Sequence, residues 1–349
     1  MTDRHDWAIA IPAHDEADRL GACLAAIGRQ RDVALARGIV IVLANNCSDD
    51  TASIARNAPI GCAVRVIEHD FPPGEGSAGA ARRLAMYHAR QSLGENGIML
   101  TTDADCVPDD DWVSAMLACF AGGPVDLVAG RVSADWNEMQ HHPAAALEVG
   151  GLEWRYCTLI AQVEHLLDPQ PHDPAPRHAQ QCGANIAIRA AMFDAVGGLP
   201  AVAVGEDRAL IEAVFQRDGR IRHANAPHVV ASARIDGRAH GGMATALRDR
   251  IDGRYVCDEL VVPAAILARR LVMRQQARAA HAAGAFAAWS AQHGDGADHR
   301  ADPFFGRSWA GFMARCRALA AAPVLPADLP AEIAQLESIL AKADLPNAA

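Results

Sequence analysis

The chain has 349 residues, 51% of them hydrophobic and 21% charged. That balance excludes intrinsic disorder and leaves room for one large domain or two ordinary ones. Acidic residues outnumber basic ones by 42 to 32, a formal charge of −10, which argues against a general nucleic-acid binder and against docking on anionic lipid by charge. The most apolar stretches, Trp112–Val125 and Val261–Met273, are broken by Gly122-Gly123-Pro124 and by Arg269-Arg270. Neither reaches the roughly 20 apolar residues of a membrane span. The start, MTDRHDWAIAIP, has no long apolar run of the secretory kind. Nine cysteines are scattered singly, with no CxxC pair. That pattern fits free thiols in a reducing compartment, so a cytoplasmic location is expected.

In chain order, Trp7–Pro12 predicts a first strand. It is followed by a helix with Leu20, Cys23, Leu24 and Ile27 on one face, capped near Asp15. Gly38–Leu43 predicts a second strand, and Ser48-Asp49-Asp50-Thr51 supplies helix-start chemistry. Val64–Glu68 is a third strand, and a Gly-rich loop leads from it to a helix around Gly79–Arg90. Ile98–Thr102 is a fourth, Asp109–Asp111 opens a helix carrying Val113, Met116, Leu117 and Phe120, and Asp126–Ala129 is a fifth strand. Such alternation implies an α/β fold, a mostly parallel sheet with helices on its faces. A helix near Ala144–Leu166 precedes a Pro/His-rich loop, Asp168–His178, read as either a plain connection or a mobile flap. Residues 181–235 return to α/β character. From about Gly241 the chain is Ala/Arg-rich and helical, with Val256, Leu260, Leu267 and Leu271 near one face and Pro263 starting a new helix. The expected division is residues 1–240 (a first half, 1–130, and a second half, 131–240, with a flexible loop near 168–180) and a helical region, 241–349.

Ligands of open parallel sheets bind outside the carboxyl ends of the strands. The segments at those ends are Ala13-His14-Asp15-Glu16, Asn45-Asn46-Cys47-Ser48-Asp49, the loop Gly74–Gly79 with Arg82-Arg83 after it, and Asp103-Ala104-Asp105. Leaving a strand, Asp103 and Asp105 point to the same side. Two carboxylates so placed repel, and a hard divalent cation such as Mg²⁺ or Mn²⁺ removes the conflict while engaging substrate phosphates. The alternative is an acidic turn capping the next helix, a part that Asp109–Asp111 fill better. The Gly74–Gly79 loop, centred on Gly76, lets backbone N–H groups approach a phosphate, helped by Arg82 or Arg83. It is neither a P-loop nor the dinucleotide fingerprint, because no Gly-Lys-Ser/Thr follows and it lies after the third strand.

In order and spacing these segments resemble family 2 glycosyltransferases. Ile11-Pro12-Ala13-His14-Asp15-Glu16 is similar to the family's "PAYNEE" opening, Asn45–Thr51 to its "DNGSTDGT", and Gly79-Ala80-Ala81-Arg82-Arg83 to its "G-x-ARN". Asp103-Ala104-Asp105 stands where its DxD stands, and Gly183-Ala184-Asn185, Gly197-Gly198 and Gly205-Glu206-Asp207 resemble the pattern ending in its "ED" motif. The resemblance covers residues 7–240. It implies a Rossmann-like fold of GT-A type with a helical C-terminal extension, and a nucleotide-diphosphate sugar as donor. Pro12, Ala13, Glu16 and Asn45 would line the nucleoside pocket with Arg82 nearby. Asp105 would be a metal ligand, and Asp103 would face ribose or metal. Many relatives carry Asp in place of Asn45, which leaves UDP against GDP open.

The implied reaction transfers one sugar to an acceptor hydroxyl, with Mn²⁺ or Mg²⁺ steadying the departing diphosphate. A carboxylate on the opposite face would take the acceptor proton, giving inversion; Asp207 matches that base, with Glu206 as substitute. Some relatives add a downstream histidine as third metal ligand, for which His240 is the first candidate and His228 the second. Arg234 and Arg238 are either diphosphate contacts or solvated basic residues. Two other readings compete. A nucleotidyltransferase would open with a Gly-rich basic loop where Pro12–Glu16 stand. A non-catalytic nucleotide-sugar binder would lack the metal acids or the base. The family's processive synthases add membrane helices and a Q-x-x-R-W motif, neither of which is seen. The acceptor is left open, and the C-terminal helices either wall the acceptor site or make a homodimer contact.

Overall fold

Residues His5–Ala13 form β1, and all but its ends are buried, as a strand covered on both faces requires. The computed structural model describes residues 5–239, 241–294, 302–316 and 322–344. Helix α1 (Ala17–Gly28) buries Leu20, Cys23, Leu24 and Ile27, with Glu16 rather than Asp15 at its N-cap. Strand β2 (Gly38–Asn45) is a continuous buried apolar run. After α2 (Thr51–Arg56), β3 (Ala63–His69) alternates in exposure, the pattern of an edge strand. Helix α3 (Ala78–Gln91) is capped by Ser77, whose hydroxyl accepts from the Ala80 N–H. There follow β4 (Leu93–Thr101), a short β5 (Cys106–Pro108), α4 (Trp112–Ala121) and β6 (Leu127–Ala134). A four-residue α5 (Trp136–Met139) precedes the long α6 (Ala144–Leu167). Next come β7 (Ile186–Arg189), α7 (Ala190–Ala195), α8 (Glu206–Phe215) and β8 (Ile221–Ala231). The last helices are α9 (Met243–Ile251), α10 (Ala264–Ala282), α11 (Phe286–His293), α12 (Phe305–Arg315) and α13 (Leu329–Asp344).

The eight strands form one sheet in the order β3-β2-β1-β4-β7-β6-β8-β5. Strands β3, β2, β1 and β4 run parallel; β7 is antiparallel to both neighbours, which restores β6 and β8 to the direction of β1. The chain steps outward from β1 to β2 and β3, then returns to the other side of β1 for β4. The reversal between β1 and β4 is the crevice at which α/β sheets bind ligands. The carboxyl ends of β1, β2, β4, β6 and β8 all open on this one edge. Helices α1, α3, α4 and α7 pack on the sheet, and Trp7, Ile9, Ile11, Leu20, Leu24, Trp112 and Met116 anchor its core.

By internal contacts the chain divides into two compact units: residues 1–141, 180–214 and 219–248, and residues 142–179, 215–218 and 249–349. The sheet and its helices make the first. In the second, Tyr156, Leu159, Ile160 and Val163 of α6 pack with Leu267 and Leu271 of α10 and with Leu329, Ile333 and Leu336 of α13. Phe286, Phe305, Trp309 and Phe312 build another cluster there. Segment 142–179, placed by composition with the sheet, thus clusters with the C-terminal helices. The Pro/His-rich loop is anchored within this unit: Arg278 Nη2 meets Asp168 at 3.1 Å, and Arg177 meets Glu164 at 3.1 Å and Asp173 at 3.0 Å. The expected helical face through Val256 and Leu260 is not formed. Gly253, at φ +70°, ends the α9 turn, and the segment to Pro263 is irregular, leaving Val256 56% exposed. Pro263 is the N-cap of α10, as the sequence predicts.

Candidate active site

The site is built from the strand ends of the first unit. At the end of β2, Asn45 is 4% exposed, and its Oδ1 is buried with no hydrogen-bond partner among the described residues. Its backbone carbonyl accepts from His14 Nδ1 at 2.7 Å, tying the ends of β1 and β2 together. Asn46 takes φ +46°, a conformation asparagine tolerates because its side chain bonds locally. That side chain exchanges two hydrogen bonds with the Phe71 backbone, at 3.0 and 3.1 Å. The loop before α3 is thereby drawn over β2. A Cβ on Gly76 would lie 3.0 Å from Asn46 Oδ1 and 3.4 Å from Asn45 Oδ1, so glycine permits the close approach. Pro12 and Ala13 end β1 beside these groups, with Ala13 buried and its carbonyl accepting from the Cys47 thiol.

Asp103 and Asp105 follow β4, and with Cys106 they bring ligand atoms within 4.8 Å of one another. Each is held by an arginine. Arg82 of α3 is buried; its Nη2 donates to Asp103 Oδ1 at 2.7 Å and its Nε to Glu206 Oε1 at 3.0 Å. Its Nη1 donates to Thr101 Oγ1 and to the Gly183 carbonyl, at 3.0 and 2.9 Å. Burial works against the Arg82 charge, but Asp103 and Glu206 outweigh it and hold the pKa above the ordinary arginine value. Arg234, three residues past β8, forks onto both oxygens of Glu16 and reaches Asp105 Oδ2 at 3.1 Å.

The chain Glu206–Arg82–Asp103, Asp105–Arg234–Glu16 therefore sets four carboxylates against two guanidiniums. Two negative charges are in excess. The strain falls on Asp105: burial first, then Asp103, push its pKa from 3.8 up to about 7, while Arg234 pulls the other way. A divalent cation supplies the missing charge, and two carboxylates are the hard oxygen donors that Mg²⁺ or Mn²⁺ prefers. Cys106 does not extend this set, since its thiol is fully buried and burial holds it protonated. A second group with ligand atoms within 4.8 Å, His14, Asp15 and Cys47, is internally bonded: His14 to Asn45, Asp15 to the Ser48 N–H at 2.7 Å.

Glu206 and Asp207 open α8, after Gly205 turns the chain at φ +79°. Their side chains diverge. Glu206 is spent on Arg82, and it sits so close to α3 that a Cβ on Gly79 would lie 3.0 Å from Glu206 Oε2. Asp207 Oδ2 accepts from the Gly183 N–H at 2.7 Å, and Oδ1 from the Arg208 N–H at 2.7 Å. Two backbone donors fix its orientation and leave each oxygen a further lone pair. Asn185, in the neighbouring turn, is structural: it accepts from Trp112 Nε1 at 2.7 Å and donates to the Arg131 and Pro227 carbonyls.

The structure thus brings Glu16, Arg82, Asp103, Asp105 and Glu206 into one charge chain, with Asp207 tied to it through Gly183 and Asn45 beneath Gly76. His240 lies outside the described residues. His228, the second histidine considered as a ligand, is engaged elsewhere: Nε2 bonds Ser133 Oγ at 2.8 Å and Nδ1 bonds Asp109 Oδ2 at 2.9 Å. Sequence reasoning left Arg234 between two readings and missed its grip on Glu16, 218 positions away. Its one signal was a basic residue just past the last strand to end on the ligand-binding edge.

Residues 8–163 match the family model of glycosyl transferase family 2. No match is found among curated protein sequences. Among solved structures, S. aureus TarS 1–349 in complex with UDP-GlcNAc superposes with a TM-score of 0.50 at 14% identity, covering 97% of this chain and 92% of that one. The mannosyltransferase PcManGT from Pyrobaculum calidifontis, in complex with GDP-Man and Mn²⁺, gives 0.47 at 16% identity, covering 98% and 88%. Glucosyl-3-phosphoglycerate synthase from Mycobacterium tuberculosis, with Mn²⁺, UDP-Glc and phosphoglyceric acid, gives 0.43 at 20%, covering 74% and 82%. The chain spans 43% of the longer S. aureus TarS chain. Among the described residues no helix is long and apolar enough to cross a membrane. Residues 8–163, somewhat under half of the chain, thus resemble glycosyl transferase family 2, and the fold is of GT-A type.

Proposed function

We propose that this chain transfers a single sugar from a nucleotide-diphosphate donor to an acceptor hydroxyl, with a divalent cation at Asp103 and Asp105 and with inversion at the anomeric carbon. The observation that carries the reading is the excess of two negative charges at the strand tips, concentrated on an Asp105 pushed up to about 7. A partly buried carboxylate pair in that state is completed by Mn²⁺ or Mg²⁺. Asn45 Oδ1, buried and without a partner among the described residues, is an acceptor that a nucleobase N–H suits. The N–H groups of the Gly76 loop and the N-terminus of α3 suit phosphate oxygens.

When bound, the cation stabilises charge on the departing diphosphate. The chain's own residues do the rest. Arg82 orients Asp103, and Arg234, anchored on Glu16, stands beside Asp105. Asp207, fixed by the Gly183 and Arg208 N–H groups, accepts the proton of the acceptor hydroxyl as that oxygen attacks the anomeric carbon. Glu206, bonded to Arg82, positions rather than reacts. Attack opposite the leaving diphosphate inverts the centre.

The test is a panel of UDP- and GDP-sugars titrated by calorimetry with and without Mn²⁺, followed by donor hydrolysis. Cation-dependent binding of one nucleotide class, and slow hydrolysis of its sugar lost in D207N, are the expected results. Cation-independent binding removes the metal reading. Product of retained configuration removes the single displacement.

A further inference from the structure

Arg234 carries more contacts than a cation-free site needs and fewer than it has donors for. Its fork onto Glu16 uses both terminal nitrogens, with Nη1 at 2.9 Å from Oε2 and Nη2 on Oε1. Nη2 also reaches Asp105 Oδ2, at the longer distance of 3.1 Å. The side chain is 13% exposed, yet Nε is buried with no partner among the described residues. A guanidinium committed to Glu16, shared with Asp105 only as an ion pair, and with no partner for Nε among the described residues is not in the arrangement that satisfies it best. Arg82 contrasts with it: all three of its nitrogens donate, to four acceptors.

We propose that Arg234 is a latch between cation and diphosphate: it serves Asp105 as internal counter-ion when the site is empty and cedes that carboxylate to the cation, keeping its anchor on Glu16. This rests on the reading of Asp103 and Asp105 as cation ligands. The bidentate, closer Glu16 contact holds, and the single, longer Asp105 contact gives way. The face of Nη2 so freed from its ion pair, together with the idle Nε–H, becomes available to an anion bound beside the cation. A cation binding alone must break the Arg234–Asp105 contact. A cation binding with a nucleoside diphosphate hands that arginine a new partner. The two ligands therefore reinforce each other through Arg234, and the reinforcement is reciprocal. Arg234 is on this account a positioning residue.

The test measures affinity for Mn²⁺ alone, and for Mn²⁺ in the presence of UDP, by electron paramagnetic resonance on wild type, R234K and D105N. Lysine keeps the charge but has no fork to span Glu16 and Asp105. The latch predicts that R234K binds Mn²⁺ alone several-fold tighter than wild type, and that the tightening produced by UDP shrinks by a similar factor. If R234K binds Mn²⁺ alone with wild-type affinity, charge alone is at work and the latch is overturned, while Mn²⁺ binding lost in D105N leaves the metal reading intact. A wild type that binds no Mn²⁺ with or without UDP overturns both. A second measurement needs no variant to be active: the Arg234 guanidinium signal in the ¹⁵N spectrum of the wild-type chain, assigned by its disappearance in R234K or R234Q. It should shift on adding Mg²⁺ and again on adding UDP, and a signal unmoved by either refutes the latch.

Discussion

Asp105 ties cation binding to pH in a way that an ordinary aspartate does not. Burial and Asp103 hold its pKa at about 7, against 3.8 for a free side chain, a gap of about 3 units or about 4 kcal/mol. Because the folded pKa is raised, the carboxyl keeps its proton between those values. The cation-free fold then loses stability as pH climbs through that window, with the whole loss present above about 7. A cation binding below pH 7 must displace that proton. Its affinity should fall about tenfold for each pH unit below 7 and level off above it, so that pH 5 binds roughly 100-fold more weakly than pH 8. Calorimetry of Mn²⁺ binding in two buffers of different ionisation heat measures both quantities. The expectation is about one proton released per cation at pH 6 and almost none at pH 8.5, with the profile kept in H240Q, which separates Asp105 from a histidine titrating nearby in pH. An affinity flat from pH 5 to pH 8, with no proton released, would contradict the charge excess as described.

Three further outcomes are expected. Arg82→Met leaves the partly buried Asp103 and Glu206 without their counter-charge, costing about 2–3 kcal/mol once solvent screening is allowed for, which denaturant unfolding will show as an early transition of the first unit. Asp207→Asn keeps nucleotide affinity but lowers turnover about 10²- to 10⁴-fold; full activity ends the assignment of the base. Asn45→Ala removes the buried, unspent Oδ1 and should weaken nucleotide binding by about 1–3 kcal/mol with little change in thermal stability. Unchanged nucleotide affinity would place the base elsewhere.

The parallel half of the sheet was legible because each strand there is an apolar run followed by helix-period residues, and because residues leaving a strand alternate. Asp103, Asp105, Asn45 and Gly76 could be placed at one edge from those rules alone. The antiparallel insertion of β7 between β4 and β6 was not legible: four residues, Ile186–Arg189, carry no periodicity that distinguishes a strand from a helix. The three residues of β5 are shorter still. The partnerships of the charges were also hidden. The resemblance placed Glu16 in a nucleoside pocket, and nothing in the sequence showed that its carboxylate pairs with Arg234. Glu206 and Asp207 are adjacent in sequence and have different partners, because the first turn of a helix points successive side chains about 100° apart. The helical face expected through Val256 failed for a simpler reason. Gly253 and Pro263 punctuate the segment, and punctuation overrides apolar spacing.

The most direct test is a crystal grown with Mn²⁺ and UDP and measured at the manganese absorption edge. An anomalous peak about 2.2 Å from carboxylate oxygens of Asp103 and Asp105, with diphosphate oxygens completing its shell, is the predicted result. Nucleotide bound while both aspartates remain on Arg82 and Arg234, with no manganese between them, would contradict it.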